Sequence, residues 1–380
     1  MLSTALLLTT IVLAENHRRL VAVDLGVTPE HVVSYWLNPP RARYPTAASR
    51  TEFFDAAIAR TRGLPGVERA GGVDVPFYWD RPRLRVMKDG QTPDRGDDLP
   101  TVLPRTVTVD YFETIGIRLL KGRLFEWSDA PGRPPVAVVS RRTADLLWPG
   151  EEAIGRTIRP GGPSSQEPWS TVVGVVDDVR HRPHAAPLPI VYRPVSQKTP
   201  AWLYLTVRTR EEPSAYLSAI PRAVWSVDKE LPIDGPYLAA TWVANLLAEL
   251  RLSVIVAWMF ASSALVLSIT GLYGLTAHAI GQSTREIGIR KALGATDRSV
   301  TNLFVRRVVI VMVPALCVGT LASASALRLI RAEIDGVTLQ GMWWVALACA
   351  ALFGFVCAAA AYVPLRRIRS VDPALSMRAE

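Results

Sequence analysis

The chain has 380 residues, 49% of them hydrophobic, and a formal net charge of +9. Only five of its 43 basic residues are lysine, and no arginine cluster is interleaved with aromatic residues, which argues against nucleic acid as a partner. Three stretches in the last third, 252–284, 308–327 and 336–365, contain no Asp, Glu, Lys or Arg; this excludes a purely cytosolic enzyme and a secreted one.

The amino terminus is apolar and uncharged over residues 1–14, which would span only ~21 Å as a helix. A signal peptide is one interpretation, although no basic segment precedes the apolar run and no small-x-small cleavage site follows it. A first membrane helix shortened at its start is the other. We prefer the second, with a partial first helix over residues 1–23, because an amphipathic continuation through Leu20 and Val23 extends it.

Residues 24–240 have the composition of a folded, turn-rich domain, since 26 of the 29 prolines lie between Pro29 and Pro236. Short runs of β-branched and aromatic residues predict strands. Ser49 and Glu52 form a capping-box pattern that predicts the start of a helix ending at Gly63. The sequence therefore predicts an α+β domain. The predicted strands are 32–37, 67–75, 102–109, 136–139, 171–176, 190–195 and 202–207, and the other predicted helices are 140–147 and 213–227.

The region 241–380 is predicted to be helical and to cross a membrane three times, at about 252–281, 308–327 and 342–364. The loop 285–307 carries six basic and two acidic residues, and the tail 366–380 carries four and two. Basic excess marks the cytoplasmic side, which places residues 24–240 outside. The predicted fold class is an α-helical membrane protein with a large α+β extracytoplasmic domain, one shortened N-terminal helix and three C-terminal transmembrane helices.

Few patterns in the sequence indicate a reaction of its own. The chain has no G-x-x-x-x-G-K-[ST] loop for nucleotide phosphates, no G-x-S-x-G elbow and no H-E-x-x-H pair. His181 and His184 are best interpreted as solvated residues of a proline-rich loop. The cysteines at 317, 349 and 357 all lie in apolar stretches and have no metal-binding spacing. We therefore predict no catalytic residue, no metal and no cofactor.

The most informative segment is 283–296, which joins two predicted membrane spans. Ser283 and Glu286 fit a capping box, and Glu286 and Arg290 fit a favourable i,i+4 pair. Gly294 stands where a helix end favours the left-handed conformation, and Thr296 can cap the next helix. A short helix across the membrane face is predicted. An ordinary basic loop that only sets the topology is the alternative.

The run from Arg285 to Ala295, REIGIRKALGA, resembles the signature of MacB/FtsX-type ABC transporter permeases. The resemblance continues along nearly the whole chain. Segments 24–27, 44–45 and 64–67 resemble the start of the MacB-like periplasmic core domain, 109–112 and 120–123 its middle, and 369–375 the family's cytoplasmic end. The sequence especially resembles the second half of duplicated permeases of the acidobacterial type. Since Met1 starts inside the first helix, it fits a start-shifted or split product.

The resemblance implies a multi-pass protein of the bacterial inner membrane with residues 24–240 in the periplasm. It implies a separate ABC ATPase subunit that docks on the 283–296 helix, a second permease subunit or half, contact with membrane lipid, and a periplasmic adaptor as a further candidate partner. The residues implied in ATPase coupling are Arg285, Glu286, Gly288, Ile289, Arg290, Lys291, Ala292, Gly294 and Ala295.

Two other functions stay open at this point. The chain could be a non-transport signalling or scaffold protein, in which an outer sensor domain is tied to a partner for sensing or cell-wall hydrolase control. It could also be a truncated, inactive half-permease. Nothing in the sequence chooses the transported substrate.

Overall fold

A computed structural model of the chain describes residues 2–79, 82–91, 99–162, 165–183 and 185–283, together with isolated positions between 289 and 359. The chain divides into two compact units: Val23–Leu247 form one, and Met1–Ala22 with Ala248–Glu380 form the other. The described helices are α1 (Leu2–Val21), α2 (Ala47–Arg62), α3 (Tyr111–Ile115), α4 (Arg141–Leu147), α5 (Ala219–Trp225) and α6 (Ala239–Gln282).

In its described residues, the unit Val23–Leu247 contains eleven strands and mixes them with short helices. The α+β prediction for this domain is therefore confirmed. The strands are β1 (Val32–Leu37), β2 (Val67–Val73), β3 (Leu84–Lys88), β4 (Thr101–Val107), β5 (Leu119–Gly122), β6 (Val136–Ser140), β7 (Thr157–Pro160), β8 (Ser170–Val176), β9 (Ile190–Pro194), β10 (Leu203–Thr209) and β11 (Ile233–Leu238).

Four of these strands and two helices form what we call the root lobe. The strands lie in the order β11-β1-β10-β2, and every neighbouring pair is antiparallel. In chain order the elements run β1, α2, β2, β10, α5, β11, which is the split βαβ arrangement of ferredoxin-like domains. Its core joins alternate residues of the strands to the inner face of α2, including Tyr35, Phe54 and Leu205.

The chain between β2 and β10 is an insertion that forms the barrel lobe, β3 to β9 with α4. Its pairings run β3–β4–β9–β6–β8–β7 and return to β3, so that six strands close on themselves. The pairs β4–β9 and β6–β8 are parallel. One cluster of apolar residues draws on all six strands and on Leu147 and Trp148 at the end of α4. β5 lies outside the ring and pairs with β8.

A third cluster of apolar residues joins the two lobes. It contains Val73 and Tyr204 from the root lobe, Val138 and Tyr192 from the barrel lobe, and Phe112 of α3 between them. α3 lies close to β2. A Cβ atom added to Gly71 of β2 would be only 2.9 Å from the Tyr111 nitrogen of α3, so this position requires glycine. The two lobes therefore share part of their core.

Two helix predictions require correction. Thr46, and not Ser49, is the N-cap of α2: the Ser49 amide donates to Thr46 Oγ1, and Ser49 Oγ accepts from the Thr46 amide, as the third residue of a capping box does. The single helix predicted over 213–227 is a 3-10 turn, Pro213–Tyr216, followed by α5. Pro221 explains the break, because its ring would clash with the carbonyl four residues earlier if one helix continued through it.

Among the described residues, one helix is long and apolar enough to cross a membrane, over Ala239–Ala279 within α6. The described positions inside the predicted spans 308–327 and 342–364 are helical. The remaining residues of both spans lie outside the described part of the chain, so that these two spans stay predictions. α1 covers 20 residues and continues past the apolar run to Val21.

Candidate functional site

α6 ends at Gln282, where the segment implied in ATPase coupling begins. The Ser283 amide continues the helical pattern by donating to the carbonyl of Ala279 at 3.2 Å. The side chains of His278 and Gln282, one turn apart, are joined by a hydrogen bond of 3.0 Å between Nε2 atoms. Both side chains are exposed.

Further along, the described residues of this segment carry the bonds of a helix and of its end. Ile289 and Arg290 are helical, and the Leu293 amide donates to the Ile289 carbonyl at 3.0 Å. The Ala295 amide donates to the Arg290 carbonyl at 2.9 Å, which is the six-to-one bond of a Schellman helix end. Gly294, the position at which such a helix end favours glycine, lies outside the described residues.

A second helix start follows at Thr296. The Ser299 amide donates to the Thr296 carbonyl at 3.0 Å and lies 3.4 Å from Thr296 Oγ1. A side-chain oxygen that accepts from the amide three residues later is the usual N-cap arrangement. Ile289 and Leu293 are exposed, Leu293 by 83%, so these two apolar side chains are available for contact.

Of the nine residues implied in coupling, the structure describes Ile289, Arg290 and Ala295. The other six lie outside the described residues: Arg285, Glu286, Gly288, Lys291, Ala292 and Gly294. Because Glu286 is among these six, the predicted capping box between Ser283 and Glu286 stays a prediction.

α6 connects this segment to the outer sheet without a linker. β11 ends at Leu238 and α6 begins at Ala239. The helix runs for 44 residues, about 66 Å at 1.5 Å per residue, whereas a membrane crossing needs about 20 residues. The uncharged stretch begins only after Arg251, so the first three turns of α6 precede it.

α1 packs against α6 through small polar side chains. Ser268 Oγ donates to Ser3 Oγ at 2.9 Å, and Thr10 Oγ1 donates to the Ala257 carbonyl at 3.2 Å. Since Ser3 faces the later residue of α6 and Thr10 the earlier one, the two helices are antiparallel. Small and hydroxyl-bearing residues are the usual means of close helix packing in membranes.

The two helices lead to neighbouring strands. α1 precedes β1 in the chain, α6 follows β11, and β1 pairs with β11.

An aromatic cluster surrounds the first turn of α6. The Trp242 ring stacks on Tyr78 at 5.1 Å between centroids and meets Phe77 edge-on at 6.3 Å. Trp79 meets Tyr204 of β10 at 5.2 Å and Tyr237 of β11 at 5.6 Å. The loop after β2 thereby packs on α6. No motif in the sequence marks these residues as a cluster, although the three consecutive aromatic residues at 77–79 are a visible signal.

The same loop is tied to the barrel lobe by a buried cation. Arg105 of β4 is only 2% exposed, and its Nη2 donates to the Trp79 carbonyl at 2.9 Å. Nη2 also lies 3.3 Å from His181 Nε2, which must accept because arginine can only donate. His181 is therefore engaged by Arg105 and is not merely a solvated loop residue. His184 lies outside the described residues.

The carboxylates after β8, Asp177 and Asp178, have structural roles. Asp177 accepts from Arg118 at 2.5 Å and from Arg141 at 3.0 Å, and Asp178 accepts from the Arg142 amide at 2.7 Å. Burial opposes ionisation of Asp177, but the Asp178 amide and the two arginines outweigh it and lower the pKa of Asp177. Among the described residues, no group of three or more His, Cys, Asp or Glu side chains could hold a metal ion.

Comparison with known proteins gives two matches to families. The family described as MacB-like periplasmic core domain matches residues 1–222, and the family described as FtsX-like permease C-terminal matches residues 258–373. The first match covers more than half of the chain.

Two curated relatives share the name MacB. The macrolide export ATP-binding/permease protein MacB of Pasteurella multocida is 25% identical over an alignment of 348 residues, which covers 83% of this chain and 49% of the relative. The macrolide export ATP-binding/permease protein MacB 2 of Aeromonas hydrophila is 21% identical over an alignment of 289 residues, which covers 71% of this chain and 42% of the relative. This chain thus spans about half the length of the curated relatives it matches.

Among solved structures, the periplasmic region of MacB from Actinobacillus actinomycetemcomitans is similar, with 14% identity and a TM-score of 0.37 over 57% of this chain and 92% of that one. The family resemblance found in the sequence is confirmed by the two family matches. Through its periplasmic core domain and its permease C-terminal region, the chain belongs to the MacB/FtsX-type permeases.

Proposed function

We propose that this chain is the membrane permease subunit of an ABC transporter and that ATP hydrolysis by a separate subunit moves its outer domain to export a substrate. The two curated relatives are named as ATP-binding/permease proteins. This chain contains no phosphate-binding G-x-x-x-x-G-K-[ST] loop. The nucleotide site of the transporter would therefore lie outside this sequence.

The observation that carries this proposal is the unbroken helix α6. It begins at the end of β11 and ends next to the segment implied in coupling. A helix without a break transmits displacement along its axis, since no interior loop absorbs it. We therefore expect a movement applied at the cytoplasmic end of α6 to reach the root lobe through β11.

The segment 283–296 would receive this movement from the ATPase subunit. In its sequence, Glu286 and Arg290 are spaced to orient each other, and Gly288 and Ala292 leave a small-residue face for close approach. The basic residues Arg285 and Lys291, the exposed Ile289, and Gly294 and Ala295 at the helix end would complete the contact. In this assignment the segment is a docking element and has no catalytic residue.

The proposed assembly follows from the family and from the charge distribution of the loops. Residues 24–240 would lie in the periplasm, and the chain would cross the inner membrane several times. A second permease subunit would complete the transporter in the membrane, and a periplasmic adaptor is a further partner to test. Substrate would be expelled from the periplasmic side, where the outer domains move.

The test is copurification of the cognate ATPase with the permease, together with the ATPase turnover that the permease stimulates. Gly288→Trp would place a bulky side chain on the docking face, and we expect it to abolish both by steric overlap. The outer domain should stay folded in this variant, because the substitution lies in the other compact unit.

The matched control is Gly162→Trp, in an outer-domain loop where an added Cβ meets no atom within 4 Å. It should preserve copurification and stimulation. If Gly288→Trp also preserves both, segment 283–296 is only a basic topological loop, and a signalling or scaffold function gains support. ATP hydrolysis by the purified chain alone would equally contradict the proposal.

A further inference from the structure

A cleft of about 200 Å³ lies between the root lobe and the barrel lobe. α2 lines one side with Thr51 and Asp55, and the loop between β5 and β6 lines the other with Glu126, Trp127 and Ala130. Both sides belong to the same compact unit. Among the described residues that line the cleft, two are acidic and none is basic.

Asp55 is a half-buried carboxylate without a compensating partner among the described residues. It lies one turn after Thr51 on α2, beside the helix face that packs on the sheet. Burial raises the pKa of its carboxyl group, and no hydrogen bond or cation among the described residues offsets this. Burying a carboxylate without a partner opposes folding, so the Asp55 carboxylate lowers the free energy of unfolding.

The other polar groups of the cleft are already engaged. Thr51 Oγ1 bonds to the Ala47 carbonyl and to Thr199 Oγ1, and Thr108 Oγ1 accepts from the Gly72 amide. Glu126 Oε2 accepts from Ser128 Oγ at 3.1 Å. Asp55 is therefore the carboxylate that a ligand would satisfy.

Trp127 stands opposite, with 65% of its surface exposed. The loop that carries it is nevertheless fixed: Arg123 donates from Nη1 and Nη2 to the two carboxylate oxygens of Asp129 at 2.8 and 2.9 Å, and the Glu126 amide donates to Asp129 Oδ2 at 2.9 Å. Ser196 Oγ donates to the Asp129 carbonyl at 2.6 Å. An exposed indole held on a fixed loop is the kind of rigid apolar anchor that binding sites use.

We propose that this cleft is a binding site for a primary ammonium group carried on an apolar body, with Asp55 as the counter-ion and Trp127 as the apolar contact. The ammonium would supply the donors that Asp55 lacks, and a cation beside an indole gains a further attraction from the ring. The absence of a basic residue among the described lining residues favours a cation over an anion. The site requires only the folded outer domain and does not depend on the proposed transport function.

The experiment uses the full chain in phosphatidylcholine nanodiscs, with 2-phenylethylammonium as the probe and isothermal titration calorimetry as the measurement. Its neutral isostere, 2-phenylethanol, reports the apolar contact alone, and empty nanodiscs report binding to lipid. We expect saturable binding of the amine and at least tenfold weaker binding of the alcohol. Equal affinities would overturn the proposal.

Three variants sharpen this test. Asp55→Asn should weaken amine binding at least tenfold and leave alcohol binding unchanged, and Trp127→Ala should weaken both. Glu52→Gln removes a charge from an exposed position of the same helix and should change neither. Amine binding that Asp55→Asn leaves intact would contradict the assignment.

Folding can be separated from binding in the same variants. Asp55→Asn removes an uncompensated charge, so we expect a melting temperature equal to or above that of the parent chain. Trp127→Ala changes an exposed side chain and should likewise leave the melting temperature near that of the parent. Amine binding retained in a folded Trp127→Ala protein would also overturn the site.

Discussion

The two lobes of the outer domain differ in how they are connected to α1 and α6. The root lobe contains β1 and β11, the strands next to α1 and α6 in the chain. The barrel lobe is inserted between β2 and β10. The chain passes from one lobe to the other at two places, just after β2 and just before β10, which we call the two crossings. α6 therefore joins the root lobe without a linker, whereas the barrel lobe meets the root lobe through the two crossings and the contacts between the lobes.

Besides the antiparallel pairing of Val73 in β2 with Val107 in β4, three kinds of contact join the lobes. The shared apolar cluster around Phe112 is the largest. The buried Arg105 fixes the aromatic loop that packs on Trp242, and Trp202 Nε1 donates to the Asp74 carbonyl across the two crossings. Because the two lobes share a core, we expect the barrel lobe to move with the root lobe.

The shared core gives the largest expected effect. Phe112 is fully buried, and its removal in Phe112→Ala should cost about 3–5 kcal/mol. Because Phe112 contacts both lobes, we expect the unfolding transition of the outer domain to split in two. Hydrogen exchange of the full chain in detergent would then show loss of protection in β2 and β6 at different denaturant concentrations.

Phe54→Ala is the matched control. Phe54 is equally buried but belongs to the root-lobe cluster alone. It should lower stability by a similar amount without splitting the transition. If both variants unfold in a single transition, the apolar cluster shared by the two lobes is not what makes their unfolding cooperative.

The Arg123–Asp129 pair should give a smaller effect, confined to the barrel lobe. Asp129 is 6% exposed, and Arg123→Ala would leave its carboxylate with only the Glu126 amide. We expect a loss of about 1–3 kcal/mol, measured by chemical unfolding at pH 7. Arg133→Ala, an exposed change in the same loop, should have little effect.

The pH dependence of this pair has a defined sign. Burial opposes ionisation of Asp129, but Arg123 and the Glu126 amide outweigh it and lower its pKa. The folded pKa then lies below the unfolded value of about 3.9, so the pair stabilises the protein above that pH and loses its contribution as the pH falls through the folded pKa. The difference in stability between parent and Arg123→Ala should therefore shrink on acidification. A difference that grows in acid would contradict this assignment.

Much of the root lobe could be predicted from the sequence, because β1 and β10 are runs of buried β-branched and aromatic residues. The strands that were missed have physical reasons for weak patterns. Four strands were missed. All residues of β5 are exposed, and β11 contains Gly235 and Pro236 at an edge. β3 mixes apolar with basic residues, and β7 has only four residues, which include Arg159 and Pro160. Closure of the barrel could not be predicted, since it depends on the parallel pairs β4–β9 and β6–β8 between residues distant in the chain.

The candidate sites divide in the same way. Segment 283–296 could be recognised in the sequence because its residues are consecutive. Its described helix end has the hydrogen bond from the Ala295 amide to the Arg290 carbonyl that a helix end at Gly294 predicts. The cleft at Asp55 was not visible. In sequence Asp55 is an ordinary surface carboxylate of a helix, and only the fold brings it to the same cleft as Trp127.

The smallest effect should come from the hydrogen bond between the two crossings. Trp202 Nε1 donates to the Asp74 carbonyl at 2.9 Å, and Trp202→Phe removes this donor while keeping an aromatic ring. We expect a loss of about 0.5–1.5 kcal/mol in the free energy of unfolding.

Trp225→Phe is the matched control, because Trp225 Nε1 donates to the Leu231 carbonyl at 3.1 Å within the root lobe. Both variants should lose similar stability, but only Trp202→Phe should speed hydrogen exchange at the Asp74 amide, which donates to the Thr106 carbonyl of the barrel lobe. If Trp225→Phe speeds that exchange equally, the bond at Trp202 contributes to general stability and does not hold the barrel lobe to the root lobe.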